Sequence, residues 1–230
     1  MYKSIEEPMA RLKFPKSYNE HLTNKTTHKI GQDMRGIVHY NFNNCGFRTD
    51  IDYNETDTNA GCFFGNAFTS AVGIEWHNSY ASLTSKKLSV NCYNFSQGCV
   101  AVDNNDIINT AIQVSKIKKF KPKFYFIQFT DLIRRFNSKN KKSTLESNID
   151  LNIKNFVENF KRLEDTLQNV KWFFMGCDFV QFHNVPTYIT EHKNCLIWNP
   201  AFFDKILYGM PGEKWHYTIA YGIVNKFKKK

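Results

Sequence analysis

The spacing of apolar positions changes near residue 60, where irregular polar sequence gives way to short apolar runs separated by longer amphipathic segments. Short buried strands that alternate with helices are typical of a parallel sheet with crossover helices, so the pattern predicts an α/β fold. Four segments are predicted as helices, at 72–88, 104–118, 144–168 and from near Pro211 onward. Five runs are predicted as strands: Ala60–Phe64, Ser89–Phe95, Lys123–Phe129, Val170–Gly176 and Asn194–Trp198.

Several residues are placed to begin these helices. Ser143 with Glu146 forms a capping-box pattern before the helix at 144–168, whose apolar residues recur on one face. Asp103 can cap the preceding helix, and Pro211 suits the first turn of the last one. The segment between the third strand and the helix at 144–168 is basic and polar, so we expect a loop there.

Residues 1–58 are rich in Asn, Thr, Lys and Asp and show little periodicity, apart from a strand-like run at Gly36–Asn41. We interpret these residues as an irregular N-terminal arm and residues 59–230 as the α/β domain. An arm of this kind either wraps its own domain or contacts another protein. We therefore expect a protein partner or a homo-oligomer formed through the arm.

Composition excludes several classes of protein. No apolar run reaches the roughly 18 residues that a membrane span needs, and the first residues carry no signal peptide, which predicts synthesis in the cytoplasm. The six cysteines form no C-x-x-C pair and are expected to be reduced core thiols. Neither they nor the seven histidines have metal-ligand spacing, so we expect no metal and no cofactor.

The formal net charge of +10 is concentrated in clusters. Such clusters raise the affinity for phosphate-rich or acidic surfaces. We favour ordinary solvated helix ends and loops over nucleic-acid binding, because no nucleic-acid motif contains the clusters. The clustered residues are Lys116, Lys118, Lys119, Lys121, Lys123, Arg134, Arg135, Lys226, Lys228, Lys229 and Lys230.

The turn after the first predicted strand resembles a known active-site motif. Gly65-Asn66-Ala67-Phe68-Thr69 is similar to the Gly-Asp/Asn-Ser-Leu/Phe-Thr block of SGNH (GDSL-type) hydrolases, in which the serine is the nucleophile. Ala67 stands at the serine position. Because alanine has no oxygen with which to attack, the resemblance implies a site that lacks its nucleophile.

Two further segments follow in the family's order. Tyr93–Gly98 is similar to the segment whose glycine donates a backbone N–H to the oxyanion, a role that Gly98 could fill. Phe126–Asp131 lies where the family's oxyanion asparagine is expected, and Thr130 or Asp131 is the nearest equivalent.

The segment before the last predicted helix resembles the family's Asp-x-x-His-Pro-Gly block. Met210 occupies the histidine position, and Leu207 or Tyr208 occupies the aspartate position. The resemblance therefore implies that the general base and its orienting acid are also absent. His216 lies further along the helix, where we expect a packed or surface residue rather than a substitute base.

The resemblance covers residues 60–227, and Asn44–Arg48 is also similar to a segment of SGNH-like proteins from marine bacteria and their phages. It implies a flavodoxin-like three-layer sandwich around a mainly parallel five-stranded sheet. It also implies that the catalytic positions, at Ala67, Leu207, Tyr208 and Met210, are vestigial. A retained pocket would be lined by Gly65, Asn66, Ala67, Gly98, Thr130, Asp131, Met210 and His216.

Two functions are compatible with this degenerate motif. The first, which we favour, is a non-catalytic binding or structural protein, for example a component of a phage particle that contacts a glycan or an acidic surface. The second is an active esterase or deacylase that uses displaced residues such as Ser70, Asp178 and either His183 or His216. Displaced residues would have to re-form the triad geometry independently, which is why we expect no enzyme.

Overall fold

The computed structural model describes residues 27–28, 38–39, 43, 45, 47–96, 102–132, 134–137, 142–145, 149–177, 185–198 and 211–229. Its strands in chain order are β1 (Thr27–His28), β2 (Val38–His39), β3 (Ala60–Phe64), β4 (Asn91–Asn94), β5 (Phe124–Phe129), β6 (Arg134–Asn137), β7 (Lys142–Leu145), β8 (Trp172–Gly176) and β9 (Cys195–Trp198).

Its helices in chain order are α1 (Tyr80–Leu88), α2 (Asn104–Ser115), α3 (Ile149–Leu167), α4 (Thr187–Thr190) and α5 (Glu213–Lys228), with a 3-10 turn at Trp76–Asn78 before α1. In the part of the chain that the structure describes, each of these helices is too short or too polar to cross a lipid bilayer.

Five of the strands form one sheet in the order β4-β3-β5-β8-β9, and every neighbouring pair is parallel. Counted along the chain, this is the 2-1-3-4-5 order of flavodoxin-like doubly wound folds. The remaining strands form two antiparallel ladders, β1 with β2 and β6 with β7. The α/β class and the five-stranded parallel sheet predicted from the sequence are therefore confirmed.

The sheet is apolar on both faces because helices cover both. Every residue of β3, β5 and β8 is buried. Successive strand residues point to opposite faces, so Phe63 packs in the core that contains Trp215 of α5, while Phe64 packs in the core that contains Ile108 of α2 and Phe160 of α3. This arrangement makes the three layers.

The first helix begins later than its apolar pattern predicts. The expected helix at 72–88 is replaced at its start by turns and by the 3-10 turn at Trp76–Asn78. Helix α1 begins only at Tyr80, because the hydroxyl of Ser79 accepts the N–H of Ser82 and caps it there. Ile74 and Trp76, which precede α1, are therefore buried without belonging to an α-helix.

The predicted loop before α3 contains a hairpin. Strands β6 and β7 pair with Arg134 opposite Leu145 and Asn137 opposite Lys142. The capping box assigned to Ser143 and Glu146 is therefore wrong, since Ser143 lies in β7 and α3 begins at Ile149. Pairing between β6 and β7 therefore determines the local structure here, rather than the capping pattern in the sequence.

Other predicted boundaries agree more closely with the structure. Asp103 caps α2, with its carboxylate accepting the N–H of Asp106 at 3.0 Å. Gly212 caps α5, so Pro211 lies just before the helix rather than in its first turn. Strand β2 occupies Val38–His39 of the run predicted at Gly36–Asn41, whose other residues lie outside the described part.

A segment of the predicted arm packs against the domain. Cys45 and Phe47 are buried in the core that contains Phe95, and the ring centroids of Phe47 and Phe95 are 5.6 Å apart. These residues therefore belong to the same packed unit as β4. The division of the chain at residue 58 stays a prediction, as does the partner expected for residues 1–58.

Two glycines give a matched test of this packing. A Cβ on Gly176 of β8 would overlap the Trp198 ring of β9, whereas a Cβ on Gly222 of α5 would meet only the flexible end of Leu196, at 3.2 Å. We expect Gly176→Ala to lower the free energy of unfolding by about 1–3 kcal/mol. Gly222→Ala should raise it by about 0.5–1 kcal/mol, because alanine is the better helix former. Urea denaturation measures both, and equal effects would contradict the packing.

Candidate functional site

The carboxyl ends of β3 and β5 form the natural ligand position of this fold. The chain passes from β3 to β4 on one side and later returns to β5 on the other side. Ligands of open α/β sheets bind in the crevice at such a switch point. The turn that follows β3 carries Ala67, so the sequence motif lies at the position where the fold places its chemistry.

The turn around Ala67 is closed by its own hydrogen bonds. The N–H of Ser70 donates to the Asn66 carbonyl, and the N–H of Val72 donates to the Ala67 carbonyl, each at 3.0 Å. The Asn66 side chain accepts the N–H of Phe68 at 2.9 Å and donates to the Thr130 hydroxyl at 3.0 Å. Ala67 is only 1% exposed. The methyl group at the position that the sequence resemblance assigns to the nucleophile is therefore covered.

Gln128 joins this turn to β5. It is a fully buried amide in a strand of otherwise apolar and aromatic residues, and its oxygen accepts the Asn66 N–H at 3.3 Å and the Thr69 hydroxyl at 3.1 Å. Its nitrogen donates to the Phe129 carbonyl at 2.7 Å. A Cβ on Gly65 would overlap the Thr69 hydroxyl, so only glycine allows this close approach.

Arg48 holds the same turn from the other side. Its guanidinium is buried and donates to the Ser70 carbonyl at 2.9 Å, to the Ala71 carbonyl, and to the Ile74 carbonyl at 2.7 Å. Ala71 has a left-handed backbone with φ of 55°, a conformation that costs a non-glycine residue about 1–2 kcal/mol. The guanidinium fork thus fixes a strained turn.

The hydroxyl groups near Ala67 are bonded to one another. Thr69 and Tyr80 share a hydrogen bond at 2.5 Å, and the hydroxyls of Ser70 and Ser96 share one at 2.7 Å. The Ser96 hydroxyl in turn donates to the Asn94 side-chain oxygen. Burial raises the pKa of Tyr80, so its hydroxyl stays protonated. None of these hydrogen bonds supplies Ser70 with a general base.

His216 is a buried structural residue. Its Nδ1 accepts the backbone N–H of Tyr80 at 3.1 Å, and the two rings stack with centroids 5.5 Å apart. Burial, and secondarily the charge of Arg48, lower the pKa of His216 to about 3. The imidazole is therefore neutral at physiological pH, with its proton on Nε2. It satisfies one of the free N–H groups at the start of α1 and does not serve the Ala67 turn.

An asparagine that sequence reasoning missed lies beside the third block. Asn104, the first residue of α2, accepts the Thr130 N–H at 2.8 Å and donates to the Thr130 carbonyl at 2.9 Å. The sequence indicates only that Thr130 and Asp131 replace the family's asparagine. One feature of the sequence could have identified Asn104. It directly follows Asp103, the cap of α2, and the start of this helix lies at the carboxyl edge of the sheet. The oxygen and the nitrogen of its side-chain amide are therefore both bonded to backbone groups.

The structure brings together part of the predicted site. Gly65, Asn66, Ala67 and Thr130 form one cluster, and Asp131 follows it directly. His216 lies behind Tyr80 rather than in this cluster. Gly98, Leu207, Tyr208 and Met210 lie outside the described residues, so the roles assigned to them stay predictions.

The predicted basic clusters fall on different parts of the fold. Arg134 and Arg135 lie in β6, which follows the carboxyl end of β5. Lys116, Lys118, Lys119, Lys121 and Lys123 occupy the connection from α2 to the amino end of β5, and Lys226, Lys228 and Lys229 lie at the end of α5. Lys230 lies outside the described residues.

The fold is that of SGNH-type hydrolases. A putative lipolytic protein of the G-D-S-L family from Desulfitobacterium hafniense DCB-2 superposes with a TM-score of 0.52 and 9% identity, over 73% of this chain and 99% of that one. This likeness, together with the strand order, shows an SGNH-hydrolase-like fold.

Two esterases superpose less closely. A carbohydrate esterase family 2 enzyme of Myceliophthora fergusii gives a TM-score of 0.49 and 8% identity, over 77% of this chain and 68% of that one. An acetyl xylan esterase from Butyrivibrio proteoclasticus gives 0.47 and 12%, over 73% and 63%. No protein-family model matches the sequence, and comparison with curated proteins gives no match.

Replacing Arg48 tests the fork. In Arg48→Lys, one ammonium group cannot reach three carbonyls with the same geometry, so we expect a loss of about 2–4 kcal/mol in the free energy of unfolding. Arg162→Lys is the control, because Arg162 is exposed and donates to the Asn109 side chain at 2.6 Å; its cost should stay below about 0.5 kcal/mol. Urea denaturation measures both. Equal stability of Arg48→Lys and the wild type would show that the fork is dispensable.

His216 predicts a pH dependence of stability. Its pKa is lower in the folded chain than in the unfolded chain, so the unfolded state binds the proton first and stability falls as pH drops below about 6.5. Between pH 7.5 and 4.5 the wild type should lose about 2–3 kcal/mol more than His216→Asn, whose amide keeps an acceptor but does not titrate. Denaturation at the two pH values measures this difference. Parallel pH profiles would mean that His216 does not titrate as described.

Proposed function

We propose that this chain is a non-catalytic SGNH-like domain that acts as a binding or structural protein. One observation carries the proposal: the nucleophile position at the switch point holds Ala67, whose methyl group is only 1% exposed in a turn closed by internal hydrogen bonds. A carbonyl substrate would find neither an oxygen to attack it nor room to approach.

The hydroxyl groups beside Ala67 support the same conclusion. Ser70 is 2% exposed and is bonded to Ser96, which is bonded to the amide of Asn94. An amide cannot accept a proton as a general base does, so this chain of contacts does not activate Ser70. Thr69 is likewise occupied by Tyr80 and Gln128.

The competing proposal is an active esterase or deacylase that uses displaced residues. Ser70 and His216 are the members of that set that the structure describes, and each has a different partner: Ser96 for the serine and the Tyr80 N–H for the histidine. A histidine with a pKa of about 3 is also a weak base at neutral pH. Asp178 and His183 lie outside the described residues.

A role in binding or assembly places the function on outer surfaces of the domain. Residues 1–58 are the segment that we expect to contact a protein partner or a second copy. A glycan or an acidic surface, and a place in a phage particle, are the versions that the sequence resemblance favours.

A fluorophosphonate probe with p-nitrophenyl acetate turnover tests the absence of catalysis. We expect no time-dependent labelling of the wild type and no turnover above that of Ser70→Ala. Labelling of a serine that disappears in Ser70→Ala would establish the displaced nucleophile and overturn the proposal.

Restoring the missing oxygen tests how much of the site is lost. Ala67→Ser returns the family's residue to the turn while adding one atom. If the base and acid are absent as well, the variant should show no labelling and no turnover, because a serine without a base stays protonated and unreactive. Turnover by Ala67→Ser would instead mean that a base and an acid are present and that a single substitution removed activity. Thermal unfolding serves as the control for correct folding.

A further inference from the structure

The two lysine clusters separated by about half of the chain meet at one edge of the sheet. Lys123 directly precedes β5 and Lys171 directly precedes β8, so both lie at the amino ends of neighbouring strands. The end of α5 reaches the same place: the Phe227 ring lies 5.3 Å from that of Phe124, and Lys171 Nζ donates to the Phe227 carbonyl at 2.5 Å. Lys228 and Lys229 follow directly.

This surface, which we call the lysine edge, comprises residues 116–123, Lys171 and residues 226–229. The two segments contribute five and three lysines and contain no Asp or Glu. Lys121, Lys123, Lys171, Lys228 and Lys229 are exposed. Within the described part of the chain, Glu55 forms an ion pair with this surface, its Oε1 lying 3.6 Å from Lys119 Nζ. Positive charge is therefore concentrated and open to solvent.

We propose that the lysine edge binds the phosphate backbone of a nucleic acid without reading its sequence. Lysine ammonium groups act as point charges on flexible stems, which suits a repeating polyanion better than a single shaped ligand. Phosphate neutralisation by several lysines releases condensed counterions, and this release supplies the affinity. The inference goes beyond the proposed function, since it assigns a surface on the opposite edge of the sheet from Ala67.

The surroundings of the edge favour a phosphodiester chain over a bilayer or an acidic protein. Docking to a bilayer or a protein uses exposed apolar or aromatic side chains beside the charges. The large apolar side chains that are exposed among the described residues lie on α3, α4, β9 and the outer stripe of α5, and none lies at the lysine edge; they are Leu151, Tyr188, Ile197, Tyr217 and Tyr221. Phe120 and Phe124 are buried within the core, so they do not stack on bases.

Salt dependence of binding tests the proposal. Fluorescence anisotropy with a labelled random-sequence DNA duplex, measured across a series of KCl concentrations, gives the slope of log K against log[KCl]. The pairs Lys121→Gln/Lys123→Gln and Lys228→Gln/Lys229→Gln each remove one part of the edge. Each pair should reduce the slope by about 1.8, because each phosphate contact on duplex DNA contributes about 0.9. The variant that carries all four substitutions should show the sum of the two reductions in slope.

The pair Lys154→Gln/Lys161→Gln is the matched control, since it removes the same charge from the outer side of α3. It should change the slope by less than about 0.5. An equal effect of this pair would assign binding to net charge rather than to the edge, and an effect of only one edge pair would show that the clusters do not form one surface. Absence of duplex binding at low salt would also overturn the proposal.

Vesicles that contain phosphatidylserine are the competing arm of the test. Tighter binding to these vesicles than to the duplex, with the same loss in the edge variants, would assign the surface to a membrane instead. None of these readouts depends on hydrolysis, so failure here leaves the proposal for the Ala67 site untouched.

Discussion

The buried guanidinium of Arg48 is the contact on which the carboxyl edge of the sheet depends. It comes from the segment between β2 and β3, yet it donates to carbonyls of the turn at residues 70–74. Asn94 at the end of β4 donates to the Arg48 carbonyl at 2.9 Å, so the same residue is anchored to the neighbouring strand. The backbone polar groups of the turn are thereby satisfied away from water. Contacts within the chain therefore fix the position of the turn.

The residues that hold the turn in place are different from the residue at the proposed catalytic position. Gln128, Asn66 and Thr130 hold the turn to β5, and Arg48 holds it from the other side; none of these contacts involves the side chain of Ala67. Under the proposed function, alanine in place of the serine that the sequence resemblance implies would remove an attacking oxygen without removing any of these contacts. The proposed absence of the nucleophile is therefore compatible with the SGNH-like fold.

Much of the sheet could be predicted from sequence because its strands are nearly continuous apolar runs bounded by polar turns. The start of α1 could not, since buried apolar residues in the turn at 72–78 imitate a helical face. The β6–β7 hairpin was missed because its strands are polar and carry no alternating pattern. Within the site, Ala67 and Asn66 were found by motif, whereas Arg48, Gln128 and Asn104 were not assigned roles. Each of them bonds to groups that lie at least 22 residues away in the chain, which local sequence cannot reveal.

The hairpin between β5 and α3 shows how this domain can change its exterior. Connections in α/β units usually take a few residues, whereas residues 130–148 separate β5 from α3 here, and the described part of this stretch includes the β6–β7 ladder. Leu132, near the start of this connection, is buried in the core beside α2 and α3, and the β6–β7 ladder begins only after it. The β6–β7 ladder lies outside the five-stranded sheet, so its pairing adds structure at this end of the domain without changing the order of the sheet strands.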